Sequence, residues 1–191
     1  MPMKPETMST FQNHLLVATP NLSGSDWQNA VIYMCSHTEE GAMGVIINQP
    51  MDDVSFNEIA ESMDVDLAPR VDEPIIFAGG PVEDNRGFVL HSEGYEHEST
   101  MDIGPHIKLS ATADIVTAIA QGLGPRDLNF CLGYAGWSPG QLEQEIADNS
   151  WLVLPADLDV IFHTPAAQRY TSCLSKLGLD LGRMPASHGH A

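Results

Sequence analysis

The sequence predicts a single α+β domain, in which a mixed or mainly antiparallel sheet carries helices on its outside. A length of 191 residues suits one large domain, and 43% hydrophobic with 18% charged residues is ordinary for a globular chain. Several strand-like segments follow one another too closely for crossover helices, so they must pair as antiparallel neighbours. We expect the domain to span residues 11–178, between a flexible N-terminal arm at 1–10 and a tail at 179–191.

The first part of the domain predicts three strands. Short apolar runs rich in β-branched residues occupy 14–19, 30–36 and 43–48. A turn-like stretch lies between the second and third runs, so these two are predicted to form a hairpin with a loop of four or five residues.

A helix and two more strands are predicted next. Ser55-x-x-Glu58 is a capping-box pattern, and the apolar residues that follow recur with helical spacing, so 55–63 is predicted to be an amphipathic helix. Strands are predicted at 75–78 and 87–91. The polar stretch 92–105 fits either a long loop or a ragged hairpin.

Strands and helices alternate in the following segment. A strand at 106–109 leads into a helix that Ser110 or Thr112 caps and that glycines end. The apolar run 128–134 predicts a buried strand.

The end of the domain predicts two helices and two strands. Ser138-x-x-Gln141 is a second capping box, with a proline at the first helical position. Strands are predicted at 151–154 and 160–162, and the Thr-Pro pair at 164–165 opens a last helix.

The charge balance limits what the protein can bind. Twenty-six acidic residues stand against eight Lys and Arg, a formal net charge of −18. Nucleic acids and anionic membranes are bound through clustered cations, so neither is expected as a direct partner. A protein or a small anionic ligand is the partner that we predict. The cations are scattered singly along the chain: Lys4, Arg70, Arg86, Lys108, Arg126, Arg169, Lys176 and Arg183.

Cysteine usage and the lack of targeting signals predict a cytoplasmic protein. Cys35, Cys131 and Cys173 are odd in number, widely spaced and flanked by apolar residues. That pattern is typical of buried structural cysteines rather than of disulfides or metal ligands. The first residues do not resemble a signal peptide, and no apolar run approaches the roughly 20 residues that span a bilayer.

Two glycine-rich segments are candidates for close approach to a ligand. Gly133–Gly140 joins a predicted strand to a helix, and free backbone N–H groups there could hold a carboxylate or phosphate. Gly79-Gly80-Pro81 ends another strand. Tight turns explain both segments equally well, and neither a P-loop nor a Gly-x-Ser-x-Gly elbow occurs in the chain.

The eight histidines predict no metal site, because no set of them has the short spacing of zinc ligands. His37 and His91 each end a predicted strand, where each could serve as a general base or simply as a hydrogen-bonding residue of a loop. The serines at 36, 92 and 138 lack the surroundings of a catalytic nucleophile. No cofactor is predicted.

Five separated strings, and the ending Gly189-His190-Ala191, resemble the YqgE/AlgH family of bacterial proteins across residues 11–191. The strings are Gly41–Asn48, Gly79–Val82, Arg86–His91, Gly133–Trp137 and Gly140–Glu145. The resemblance implies a strongly curved, barrel-like sheet with peripheral helices. Some family members are labelled transcriptional regulators. Where the family usually has an acidic residue after an Ile-Phe pair, this chain has His163.

The resemblance also suggests a shared ligand pocket, formed by polar residues and glycines at strand ends. The candidate residues are His37, Asn48, Gly79, Gly80, His91, Tyr134, Trp137 and Gln141.

We therefore predict a binding or interaction protein rather than an enzyme, with the ligand left open. Two alternatives stay open at this point. One is a transcriptional regulator acting through a protein partner, and the other is a hydrolase or transferase that uses His37 or His91 as its base.

Overall fold

The computed structural model describes residues 10–179. The predicted arm and tail lie outside this range, apart from Thr10 and Leu179. Within it the chain forms nine strands and four α-helices. The strands are β1 His14–Ala18, β2 Val31–Thr38, β3 Gly41–Ile46, β4 Ile76–Ala78, β5 Val82–His91, β6 Met101–Gly104, β7 Ile107–Ser110, β8 Leu128–Trp137 and β9 Trp151–Pro155. The helices are α1 Phe56–Ser62, α2 Ala113–Ala120, α3 Gln141–Ala147 and α4 Ala166–Lys176.

All nine strands belong to one curled sheet, a half-barrel. Eight of them follow the order β6-β7-β5-β8-β3-β2-β1-β9. Every pairing along this order is antiparallel, and β4 pairs with β8 in parallel. The ten-residue β8 is the centre of the sheet, since β5, β4 and β3 all pair with it. The prediction of a single α+β domain with a curved, mainly antiparallel sheet is confirmed.

Three groups of buried side chains hold the sheet and helices together. The largest lies between the sheet and α4, where Tyr33 of β2 and Leu90 of β5 are fully buried and α4 contributes Cys173. A second group lies under α3. The third packs α1 and α2 against β8, where Phe56 meets Phe130 edge to face. Burial of these apolar faces is the main favourable term for the fold.

The capping box of α1 is formed as predicted. The Ser55 hydroxyl accepts a hydrogen bond from the Glu58 N–H, and the Glu58 carboxylate accepts one from the Ser55 N–H. The polar stretch 92–105 contains β6, which pairs with β7, so the hairpin alternative describes it.

Two predictions near the end of the chain are wrong. Residues 160–162 are not a strand but part of a π-helical turn, Asp159–His163, whose start is held by the Asp157 carboxylate. The third helix begins at Gln141 rather than after Ser138. Gly140 takes a left-handed φ of 77° there, which an α-helix does not contain. The helix therefore starts directly after Gly140.

Candidate functional site

The eight candidate pocket residues do not gather in one cavity. His37, Trp137 and Gln141 lie around α3, while His91 pairs with Leu128 at the opposite end of β8. A ten-residue strand such as β8 is roughly 30 Å long at about 3.3 Å per residue. One small ligand cannot touch both ends, and each residue is therefore described by its own surroundings.

His37 is buried between the Phe11 segment and α3. Its Nδ1 accepts a hydrogen bond from the Phe11 N–H at 2.9 Å, and its Nε2 donates to the Glu143 carboxylate of α3. The Phe11 ring stacks on the imidazole. Hydrogen bonds from its own backbone N–H and from His37 lower the pKa of Glu143. Both ring nitrogens are occupied, so neither is available to accept a proton from a substrate.

Trp137 and Gln141 fasten α3 to the end of β8. The Trp137 indole donates to Glu145 at 2.6 Å, and the Gln141 side chain accepts from the Ser138 N–H at 3.0 Å. Asn48 has a similar role between loops, because its amide accepts from Val31 N at 2.8 Å and donates to a neighbouring carbonyl at 2.8 Å.

Gly79 and Gly80 lie where β4 ends against β8. A Cβ atom on Gly79 would be 2.4 Å from the Gly133 carbonyl oxygen, and one on Gly80 would be 2.1 Å from the Tyr134 carbonyl carbon. Close packing of two strands therefore explains both glycines, without a ligand.

Tyr134 lines an open groove of about 670 Å³ at one end of the half-barrel. Its ring meets Phe88 edge to face, and the neighbouring Gly136 has open space above it, since a Cβ there would make only one contact, at 3.6 Å. Glu40 and Glu83 stand at the rim of this groove, so it disfavours an anion.

His91 forms a base-and-hydroxyl pair that is closed to solvent. Its Nδ1 donates to the Ser92 carbonyl at 2.8 Å, so its Nε2 accepts from the Ser110 hydroxyl, also at 2.8 Å. Hydrolases use this arrangement to activate a nucleophile. Here His91 is 0% and Ser110 1% exposed, so a substrate has no approach to the pair.

A different site is formed by Arg169, on the inner face of α4. The residue is 6% exposed. Its Nε donates to the Thr164 carbonyl at 2.9 Å, and its Nη1 donates to the Ile47 carbonyl at 2.6 Å and to Asn129 Oδ1 at 2.8 Å. The guanidinium also lies over the Phe77 ring. These contacts hold the cation firmly in place below the surface.

The Arg169 cation has no counter-ion among residues 10–179. Within residues 10–179 no carboxylate lies at ion-pairing distance from it, and its Nη2 has no hydrogen-bond partner. Desolvation by burial lowers the pKa of Arg169 to about 10, which leaves it charged at neutral pH.

Arg169 lines a cavity of about 290 Å³ at the start of α4 that contains no Asp or Glu side chain. Its lining residues are Pro74, Ile75, Phe77, Leu128, Asn129, Phe162, His163, Thr164, Pro165, Ala166 and Arg169. Within the described part of the chain no side chain caps this eleven-residue helix. Its first backbone N–H groups therefore add partial positive charge beside the guanidinium.

His163 lies on the cavity wall and contacts two carboxylates. Hydrogen bonds to Asp159 and then to Asp127 raise its pKa, with ring-to-oxygen distances of 3.3 and 3.2 Å. The arrangement as a whole can hold a small anion between an arginine and a helix N-terminus.

Sequence reasoning missed Arg169 as a site residue, although a signal was present. Cys173 lies on the buried face of the last helix, and position 169 is four residues before it on the same face. An arginine on the buried face of a helix must find acceptors or a counter-ion there.

Two kinds of feature are absent from the described residues. No helix in the range 10–179 is long and apolar enough to cross a membrane. Over the same residues, no group of three or more His, Cys, Asp and Glu side chains is placed to hold a metal ion.

Comparison with known proteins gives consistent matches. A family model described as AlgH-like (DUF179) matches residues 15–182. A UPF0301 protein of Thioalkalivibrio sulfidiphilus is 44% identical over 183 residues, covering 96% of this chain and 98% of that protein. A UPF0301 protein of Methylocella silvestris is 46% identical over 189 residues, covering 95% and 92% respectively.

Two solved structures are similar in fold. The solution structure of the AlgH protein from Pseudomonas aeruginosa superposes with a TM-score of 0.77 at 37% identity, covering 99% of this chain and 100% of that one. A crystal structure of a protein from Corynebacterium diphtheriae has a TM-score of 0.68 at 22% identity, covering 86% and 85%, and shares the fold.

Proposed function

This chain belongs to the AlgH-like family, and we propose that it is a binding protein for a small anionic ligand, which Arg169 holds at the start of α4. The observation that carries the proposal is a buried guanidinium without a counter-ion, with Nη2 left unbonded among the described residues beside a cavity free of carboxylates. Buried charges in proteins are normally paired, and a bound anion would supply the missing partner.

The cavity suits a compact anionic group. About 290 Å³ accommodates a carboxylate or a phosphate with a short stem. Arginine and backbone N–H groups at a helix start are the donors that bind such groups best. Position 163, where the family resemblance implies an acid, holds a histidine here, which removes one source of repulsion.

A function as a hydrolase or transferase has less support than a function as a binding protein. Both ring nitrogens of His37 are hydrogen-bonded, and His91 is fully buried with Ser110. A general base must reach the proton that it removes, and neither imidazole does so.

Direct recognition of nucleic acid also has little support. Of the cations in the described range, Lys108, Lys176 and Arg86 pair with carboxylates, and Arg169 is buried. Too few free cations are left to release counterions from a polyanion. A cytoplasmic location is part of the proposal, and three free, buried cysteines support it.

Titration with inorganic phosphate and with acetate, followed by amide and arginine side-chain NMR, tests the proposal. We expect saturable shifts at the N–H groups of Ala166 and Ala167 and at Arg169 Nε. Since a ligand that binds only the folded state stabilises it, phosphate at 100 times its Kd should add about 2.7 kcal/mol to the free energy of unfolding.

A matched pair of variants checks the location. Ala167→Glu places a carboxylate in the first turn of α4, where it favours the helix but repels an anion, whereas Ala167→Gln keeps the size without the charge. We expect anion affinity to fall in the first variant and to persist in the second. Shifts that are absent from the start of α4, or equal affinities in the two variants, would contradict the proposal.

A further inference from the structure

A second cavity adjoins the Arg169 cavity on the same face of the protein. It has a volume of about 510 Å³ and is formed by the segment Ala68–Pro74, the end of α2 and the residues that precede β8. Pro74, Leu128 and Phe162 line both cavities. The two spaces therefore adjoin along these three apolar side chains.

Arg70 and Arg126 line this second cavity, and both are exposed. Within residues 10–179 neither has a carboxylate at ion-pairing distance. The other described cations, apart from Arg169, all have one. Among residues 10–179, the three arginines without an ion pair thus all line these two adjoining cavities.

Three acidic residues also line the second cavity, and two of them are already engaged. The Asp127 carboxylate pairs with His163 at 3.2 Å. Glu73 accepts a hydrogen bond from the Asn57 N–H at 2.7 Å. Asp72 is exposed and has no partner among the described residues. Arg70 and Arg126 therefore keep free donors, and these must outweigh the nearby carboxylate charges when an anionic group binds.

From this arrangement we infer, building on the proposed function, that the ligand is a small organic dianion whose two charged groups are separated by an apolar spacer. One group binds Arg169 and the start of α4. The other binds Arg70 and Arg126. The spacer lies along Pro74, Leu128 and Phe162. A carboxylate or a phosphate can occupy either end, since arginine donors recognise both.

Unbranched dicarboxylates of increasing chain length, each compared with the monocarboxylate of the same length, are the probes that test this inference. Isothermal calorimetry at constant ionic strength gives the affinities. We expect one chain length to bind about tenfold or more tightly than its monocarboxylate, because the second charged group adds its own contacts. Shorter and longer diacids should lose this advantage.

Variants separate the two ends of the ligand. Arg70→Gln and Arg126→Gln should each remove most of the advantage of the diacid and leave monocarboxylate binding unchanged. Arg86→Gln is the matched control, since Arg86 pairs with Glu83 outside both cavities and its loss should change neither affinity. Arg70→Gly removes the same guanidinium and also relieves the left-handed backbone at φ 66°, so a loss of diacid binding in this variant cannot come from a damaged fold.

The two proposals fail in different ways. Monocarboxylates that bind at α4, with no gain for any diacid and no effect of Arg70→Gln or Arg126→Gln, would overturn the dianion inference and leave the proposed function standing. If no carboxylate or phosphate binds at all, both are overturned.

Discussion

Replacing Gly80 by alanine should destabilise the fold strongly, because β4 meets β8 at this residue with no room for a side chain. The new Cβ would lie 2.1 Å from the Tyr134 carbonyl carbon and 2.5 Å from the Ala135 nitrogen, at a φ of 155°. To reach ordinary contact at 3.4 Å, one strand would have to retreat by more than an ångström. That movement strains the neighbouring hydrogen bond from Gly79 N to Leu132 O, now 2.7 Å. Overpacking and weakened backbone bonds together should cost about 3–5 kcal/mol.

Urea unfolding followed by circular dichroism measures this cost, with Gly136→Ala as the matched control. Gly136 lies in the same region of β8, but the nearest atom to a Cβ there is 3.6 Å away. Alanine at that position should therefore raise the free energy of unfolding by about 0.5–1 kcal/mol. With a slope of about 1–3 kcal/mol per molar urea, the Gly80 variant should unfold at least about 1 M earlier than the control. Equal midpoints would mean that β4 and β8 do not pack as closely as described.

Two further predictions concern single side chains. Ser55→Ala removes the cap of α1 and should lower the free energy of unfolding by about 1 kcal/mol. Ser62→Ala at the other end of that helix should lower it by less than about 0.5 kcal/mol. Equal losses in urea unfolding would contradict the capping role. Burial lowers the pKa of His91 below its ordinary 6.5. The hydrogen bond to Ser92 opposes this shift, and the charge of Lys108 adds to it. The unfolded chain then takes up this proton first, so stability should fall as the pH drops below 6.5. His91→Gln should show a shallower fall between pH 7 and 5, and identical profiles would refute this.

The fold could be predicted from sequence where local pattern and tertiary structure agree. The apolar runs of β1 and β2 and the capping box of α1 specify their elements locally. The run at 160–162 does not, because a short apolar stretch fits a strand and a buried helical turn equally well. The Asp157 carboxylate at its start and the packing of Val160 and Ile161 decide for the turn. The packing part of this choice depends on residues that are distant in sequence.

The candidate site was harder to predict, because glycines and histidines at strand ends have packing roles as often as binding roles. Gly79 and Gly80 could be read as sites of ligand approach, yet the neighbour that approaches them is β8. Arg169 looked like an ordinary helix residue. Its significance depends on which carbonyls surround it and on the lack of a carboxylate within the described residues. Neither fact can be read from the order of residues alone.

The position of β8 at the centre of the sheet has a consequence for the order in which the protein assembles. Its partners β3, β4 and β5 are all made before it, and β9, which pairs with β1, is made after it. A nascent chain that ends before residue 137 thus holds strands whose central partner is incomplete. Because these pairings join distant parts of the chain, folding should be slow and should follow synthesis of β8. Until then the unpaired strand edges need protection from other chains.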